Sequence, residues 1–222
     1  MTDFAELCAA TNFSFLRAAS HPEEMILGAK QLGFAGIGVG DRNSLAGVVR
    51  AHEAAKEHKV PLLVGARLVF CDGTPDIFVY PKDRPAYARL TRLLTVGNRR
   101  APKGECELYI EDFLQFAEGQ QVIVAPVLEA GAAPDARLRE TLDLIHEGCG
   151  AVWLAARFVL DGEDRRRLRL LKNLAEQTGA RLIATTEPLH HVPERRALLD
   201  VLTCVREKTT LDDAGRLLAA NA

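Results

Sequence analysis

Asp41, Glu187, His190 and His191 are the side chains best suited here to hold a cation or move a proton, and with Cys8 they fall at the ends of short apolar runs. A cluster of His and Asp/Glu at such strand ends can hold two or three cations and lower the pKa of a bridging water. These four groups suffice for one ion, but the adjacent His190 and His191 point to opposite sides of an extended segment. Each residue also has a simpler reading. Cys8 has no base beside it and reads as a small buried apolar residue. Asp41 stands just ahead of a helix, so it can cap that helix or pair with Arg42 or Arg67 as well as bind metal. Glu187 and His190 can serve structural hydrogen bonding. His191, close before Pro193 and Glu194, belongs to a helix boundary.

These residues need a scaffold of alternating strands and helices, and the periodicity supplies one. Strands are expected around Phe4 to Ala10, Ala35 to Gly40, Leu62 to Phe70, Ile77 to Tyr80, Val122 to Ala125, Ala151 to Ala155 and Leu182 to Ala184. A first helix has Ser20 as N-cap and Glu23 as its capping-box partner, an apolar face of Met25, Ile26, Ala29 and Leu32, and Gly33 as its stop. Further helices are expected from Ser44 to His58, from Pro85 to about Val96, and from Asp161 to Thr178 with Leu168, Leu171 and Leu174 inward. The residues Asp72-Gly73-Thr74-Pro75 join two strands in a turn. Trp153 reads as core, and Arg165-Arg166-Arg167 most simply as a solvated helix face, with contact to DNA or a neighbouring domain as the alternative. Such alternation implies a parallel sheet, either open and doubly wound or closed into a barrel. In a barrel the chemistry sits at the carboxyl ends of the strands, where Cys8, Asp41 and the 185–191 segment lie.

Composition narrows the partners. Lys and Arg total 28 against 30 Asp and Glu, a net charge of -2, so any contact with nucleic acid is local rather than a property of the whole surface. The five cysteines are dispersed without a C-x-x-C pair, which argues against a disulfide framework or zinc ribbon and for a reducing compartment. With no apolar leader and no run approaching a membrane span, a soluble, cytoplasmic protein is expected.

Several segments resemble the PHP (polymerase and histidinol phosphatase) domain. Glu6-Leu7-Cys8-Ala9-Ala10-Thr11 resembles the family's E-L-H-x-H-S, with Cys8 and Ala10 where two metal-binding histidines stand. Gly40-Asp41-Arg42-Asn43-Ser44-Leu45-Ala46-Gly47 is similar to T-D-H-x-S/G-L-x-G, keeping Asp41 and replacing a histidine by Arg42. Arg67 follows Val64-Gly65-Ala66 in the place of a carboxylate, and Arg157-Phe158 stands where a histidine is common. In Ala184-Thr185-Thr186-Glu187-Pro188-Leu189, which resembles A-T-N-D-x-H, Glu187 replaces Asp and Leu189 replaces His. The segments Asn12 to Leu16, Gly104 to Leu108 and His191 to Arg206 are similar to the branch found in error-prone bacterial DNA polymerases related to the DNA polymerase III alpha subunit.

The resemblance implies a distorted TIM-like α/β fold, a PHP-type (β/α)7 barrel over residues 1–205, with 206–222 leading towards a polymerase body. Cys8, Ala10, Asp41, Arg42, Arg67, Phe158, Glu187 and Leu189 are then degenerate ligand positions, with Asp41, Glu187 and His190 as a residual pocket. It implies no catalytic residue, metal or cofactor in this chain and a pseudoenzyme role in structure and interaction. The parent would be a magnesium-dependent DNA-directed DNA polymerase acting in damage-induced translesion synthesis and repair. Its partners would be its own polymerase body and other replication or translesion proteins, with DNA held by the parent and weakly or not at all by this domain. The competing reading is a residually active metal-dependent phosphoesterase or proofreading 3'-5' exonuclease. Two arginines among two remaining carboxylates further imply a polar network in which Arg42 or Arg67 pairs with Asp41 or Glu187.

Overall fold

A computed structural model describes residues 4–218 of the chain. It resolves into two compact units: residues up to Val64 together with those from Thr186 onward, and Gly65–Thr185. The described elements are α/β throughout.

In the first unit, β1 (Ala5–Ala9) pairs in parallel with β2 (Gly36–Arg42), with α1 (Pro22–Gln31) as the crossover, and α2 (Val48–His58) leads into β3 (Leu62–Leu68). Ala9, Met25, Ile26, Ala29, Ile37, Ala54, Ala55 and Val60 form its core, with Phe34 and Leu62 packed against it. The cap of α1 lies one residue later than the sequence suggests: His21 is the N-cap, and its amide donates to Glu24 Oε2 at 2.8 Å. Ser20 is otherwise engaged, its hydroxyl lying 2.8 Å from His191 Nδ1. Leu32, expected on the inner face, is 68% exposed because α1 ends before it. The second helix also starts later than Ser44. Asn43 is left-handed (φ 46°), and the chain turns through Ser44 to Gly47 before α2 can begin. After Thr186 come a 3₁₀ turn (Pro193–Arg195), α7 (Arg196–Glu207), a short α8 (Leu211–Ala214) and a last 3₁₀ turn (Gly215–Leu217).

In the second unit, β4 (Ile77–Pro81) is antiparallel to both β3 and β5 (Gln120–Val124), so the expected all-parallel sheet is mixed. The reason is the length of the β3–β4 connection. A parallel return needs a dozen or more residues, and the turn around Asp72 to Pro75 has no room for a crossover helix. Asp72 builds that turn, accepting from the Thr74 and Ile110 amides at 2.8 and 2.9 Å. Beyond α3 (Arg84–Arg100) and α4 (Ile110–Gln115), the parallel pattern resumes: β5 pairs with β6 (Val152–Arg157) and β6 with β7 (Arg181–Thr185), across α5 (Ala136–Cys149) and α6 (Asp164–Thr178). Phe78, Ile77, Leu90, Phe113, Leu142 and Leu154 are wholly buried, whereas Trp153 is only half-buried.

The arginine run at the start of α6 is not uniformly solvated. Arg167 is 6% exposed and grips Asp161 with two hydrogen bonds of 2.6 and 2.5 Å, while its Nε donates to the Leu128 carbonyl at 2.8 Å. Leu168, expected inward, is instead exposed, and Leu171 and Leu174 carry that face. The Arg167 hydrogen bonds hold the Asp161 carboxyl down at about 2. A carboxylate with a depressed folded pKa stabilises the fold above its ordinary value and loses that contribution as the pH falls through the folded one. Denaturant midpoints of the wild type should therefore drop between about pH 4 and 2 more steeply than those of Asp161→Asn. Equal slopes would show that this pair does not contribute.

Gly65 marks a second constraint. A Cβ there would lie 2.2 Å from the Val79 carbonyl and 2.5 Å from the Tyr80 ring, so β4 crosses where only glycine fits. Gly65→Ala should cost about 1 to 3 kcal/mol, readable by urea unfolding.

Candidate functional site

The first unit gathers the end of β1, the end of β2 and the segment that follows Thr185. Between Glu6 and Ala9 the β1–β2 register shifts, a bulge that releases the Cys8 amide from the ladder. That amide donates to Glu6 Oε1 at 2.8 Å. The other oxygen of Glu6 accepts from the Thr186 amide and hydroxyl, each at 2.7 Å. Glu6 has no exposed surface, so a fully buried carboxylate fastens the bulge to a residue 180 positions away. The motifs do not single out Glu6 as a site residue, although a lone acid within an otherwise apolar strand signals a bound, buried charge.

Asp41, 2% exposed, is held in the same manner by neutral donors. Its Oδ1 accepts from the Thr11 amide at 2.8 Å and the Ser14 hydroxyl at 2.7 Å, and its Oδ2 from the Thr11 hydroxyl at 2.7 Å. Neither an arginine nor the start of α2 is its partner, contrary to the expected ion pair or helix cap. Burial pushes the Asp41 carboxyl above the ordinary aspartate value, and the hydrogen bonds from Ser14 and Thr11 offset only part of that. Gly47 closes the arrangement: a Cβ there would stand 2.8 Å from the Phe13 ring and 3.1 Å from Asp41 Oδ2.

The positions that the resemblance marks as degenerate divide between the two units. Cys8 and Ala10 are buried, at 1% and 5% exposure, and the Ala10 amide donates to the Pro188 carbonyl at 3.2 Å. Arg42, Glu187 and Leu189 also belong to the first unit, with Glu187 in a left-handed conformation (φ 46°). The Ala19 amide reaches the Leu189 carbonyl at 2.7 Å, and Ser20 holds His191 through both its ring and its amide. His191 stands one residue before Val192, the N-cap of the 3₁₀ turn, and its Cβ lies beside Gly28 of α1. His190 and His191 line a small, largely apolar cavity of about 70 Å³ together with Glu6, Met25, Phe34, Ile37, Thr186 and Pro188. Burial lowers the pKa of His190, helped by the charges of His191 and Arg196. Asp41 does not line that cavity, so two of the three expected pocket residues face different surroundings.

Arg67 and Phe158 lie in the second unit. Arg67 Nε donates to Asp76 at 2.8 Å, and its guanidinium lies 5.3 Å from the centre of the Phe78 ring. No motif points to Asp76 as the partner of Arg67, because it sits across the hairpin. Phe158, just past β6, is 52% exposed.

Among the described residues, no three His, Cys, Asp or Glu side chains come together as a metal-binding group. A metal ligand needs free lone pairs directed into an opening, whereas Asp41 and Glu6 each spend both oxygens on amides and hydroxyls.

This geometry accompanies a clear family assignment. The PHP domain profile matches residues 7–185, and the chain belongs to that family. The fold agrees: a putative metal-dependent phosphoesterase from Bifidobacterium adolescentis superposes with a TM-score of 0.63 at 15% identity, covering 87% of this chain and 90% of that one. An amidohydrolase from Chromobacterium violaceum gives 0.57 at 18% identity, covering 85% and 88%. More specifically, the chain is 49% identical over 223 residues to the error-prone DNA polymerase of Rhodopseudomonas palustris and 48% identical over 221 residues to that of Caulobacter vibrioides. Each match takes in 99% of this chain but 20% of the relative, so the chain spans about a fifth of their length.

The Asp41 geometry yields a test. Asparagine can keep the two acceptor bonds at Oδ1, and the Thr11 hydroxyl can turn to accept from the new amide, so Asp41→Asn should change stability at pH 7 by less than about 1 kcal/mol. Asp41→Ala orphans three buried donors at about 1 to 3 kcal/mol each and should cost about 3 kcal/mol or more. The raised carboxyl pKa favours the fold while Asp41 is protonated, a contribution present below its ordinary value near 4 and lost as the pH rises through the folded value. Asp41→Asn should accordingly gain on the wild type as the pH rises through that range. A wild type that gains instead would contradict this account of the site.

Proposed function

We propose that this chain is the PHP domain of an error-prone DNA polymerase and that it serves there as a structural and interaction domain without a hydrolytic metal centre of its own. The observation that carries the reading is the state of Asp41, the retained acid of the second motif, whose two oxygens are both occupied by Thr11 and Ser14. Hydrolysis by a metal-activated water requires ligands that leave the cation accessible. Cys8, Ala10, Arg42, Arg67, Phe158 and Leu189 offer none of the imidazole or carboxylate groups that such a centre uses. Arginines would also repel a cation directly.

On this reading the parent polymerase adds deoxynucleotides opposite damaged template in the cytoplasm. Its magnesium is held by carboxylates outside this chain. The likeness over almost the whole chain to polymerases about five times as long supports a place within such a polypeptide. No helix among the described residues is long and apolar enough to cross a membrane.

Two measurements test the proposal. After dialysis the purified chain should hold less than one equivalent of zinc, manganese or iron by elemental analysis. It should also show no manganese-dependent hydrolysis of p-nitrophenyl phosphate or of the 3' end of a labelled oligonucleotide. Two or more metals per chain, or turnover that disappears on Asp41→Asn or Glu187→Gln, would establish the hydrolase instead.

A further inference from the structure

The helix α3 carries five arginines and no acid over 17 residues, in a chain whose net charge is -2. Its inner face is fully committed: Leu90, Leu93 and Leu94 are 0%, 1% and 5% exposed. On the outer face Arg84, Arg92 and Arg99 recur at intervals of eight and seven residues, which returns each to one side of the helix over about 22 Å. All three are exposed. None makes a hydrogen bond or ion pair with another described residue, unlike Arg89, paired with Glu118, and Arg100, paired with Asp112. Tyr87, Thr95 and Asn98 fill the spaces between them on the exposed side, and Lys82 and Lys103 flank the helix. Of the acids that flank it, Asp83 caps the helix through the Ala86 amide, and Glu107 accepts from Tyr109.

We infer that this face of α3 is a binding surface for the phosphate backbone of DNA. Arginine, tyrosine, threonine and asparagine are among the side chains that contact phosphate and sugar. Over about 22 Å of axis a duplex carries roughly 13 charges, so three arginines find phosphates in any register and the binding is independent of sequence. A membrane helix would expose an apolar face, and the apolar face of α3 is inside the unit. A protein hot spot would need a desolvated aromatic or aliphatic anchor, and Tyr87, 38% exposed, is the one large hydrophobic side chain on this face. The inference rests on the polymerase reading for the identity of the polyanion, but not on the absence of a metal centre.

The test is fluorescence anisotropy of the intact chain with a labelled 20-base-pair duplex of arbitrary sequence across a salt series. Binding in the roughly 10⁻⁴ to 10⁻⁶ M range at physiological salt is expected, with affinity falling steeply as salt rises. The variant Arg84→Gln/Arg92→Gln/Arg99→Gln should bind at least tenfold more weakly at 0.1 M salt. Its log–log salt slope should be smaller by about 2 to 3, at about 0.9 for each phosphate that is no longer neutralised. The corresponding lysine triple should keep most of the affinity, which separates lost charge from a disturbed helix. Arg165→Gln/Arg169→Gln/Lys172→Gln, on the exposed side of α6, removes the same charge and should leave binding within about twofold. Equal loss in both glutamine triples would reduce the effect to net charge and overturn the assignment. So would unchanged binding in the α3 triple, or equal affinity for phosphatidylserine vesicles. None of these outcomes bears on metal content or hydrolysis, so the two proposals fail separately.

Discussion

The first unit is assembled from two stretches of chain that lie more than 120 residues apart, and the buried carboxylate of Glu6 is the tie on which that assembly depends. One oxygen satisfies an amide freed by the β1 bulge, and the other takes both donors of Thr186. A buried carboxylate is costly unless it is fully hydrogen-bonded, and here the bonds are what join the stretches. Further links join the two stretches: Ala10 to Pro188, Ala19 to Leu189, Ser20 to His191, Glu24 to Arg195, and Arg206 to the Leu16 carbonyl. Most of them run between backbone groups or from backbone to side chain, so they constrain the path of 186–191 more than its side-chain identities. That explains how Leu189 can occupy a ligand position without loss of local structure.

The strands are legible because each is a short apolar run, and all seven lie within two or three residues of where periodicity puts them. The direction of β4 is not. Apolar content says that a strand is buried but not which way it runs, and the deciding quantity is the length of the β3–β4 connection. Helix starts fail for a different reason. Ser20 and Ser44 are good capping residues locally, but Ser20 is drawn to His191, 171 residues on, and Asn43 turns the chain away before Ser44 can begin a helix. At the site, the motifs locate Asp41 as the one acid retained in the second of them. Its partners stay hidden because Thr11 and Ser14 are ordinary polar residues in a loop, 30 and 27 positions before it. The same holds for Arg67, whose pairing with Asp76 follows from the hairpin register and not from any motif.

Charge is distributed by the same logic. Acids deep in the fold are bound by donors, as Glu6, Asp41 and Asp164 are, and Arg167 is covered by Asp161, Asp164 and the Leu128 carbonyl. On the outer side of α3 three exposed arginines stay without an acidic partner among the described residues, where a helix stable enough through its leucines can carry like charges at a spacing of seven and eight residues. Repulsion at those separations is small in water, so the stripe costs the fold little.

The proposed loss of hydrolytic function is also self-reinforcing in physical terms. With Cys8 and Ala10 buried in the first unit, a histidine at either position adds a ring to a packed interior, at about 1 to 3 kcal/mol for overpacking. Asp41 would have to release Thr11 and Ser14 before it could face a cation, which orphans the Thr11 amide in a buried loop. On the proposed reading, a single histidine introduced at either position therefore destabilises the domain before any metal can bind, because the parts of the polar network around Asp41 are fitted to one another.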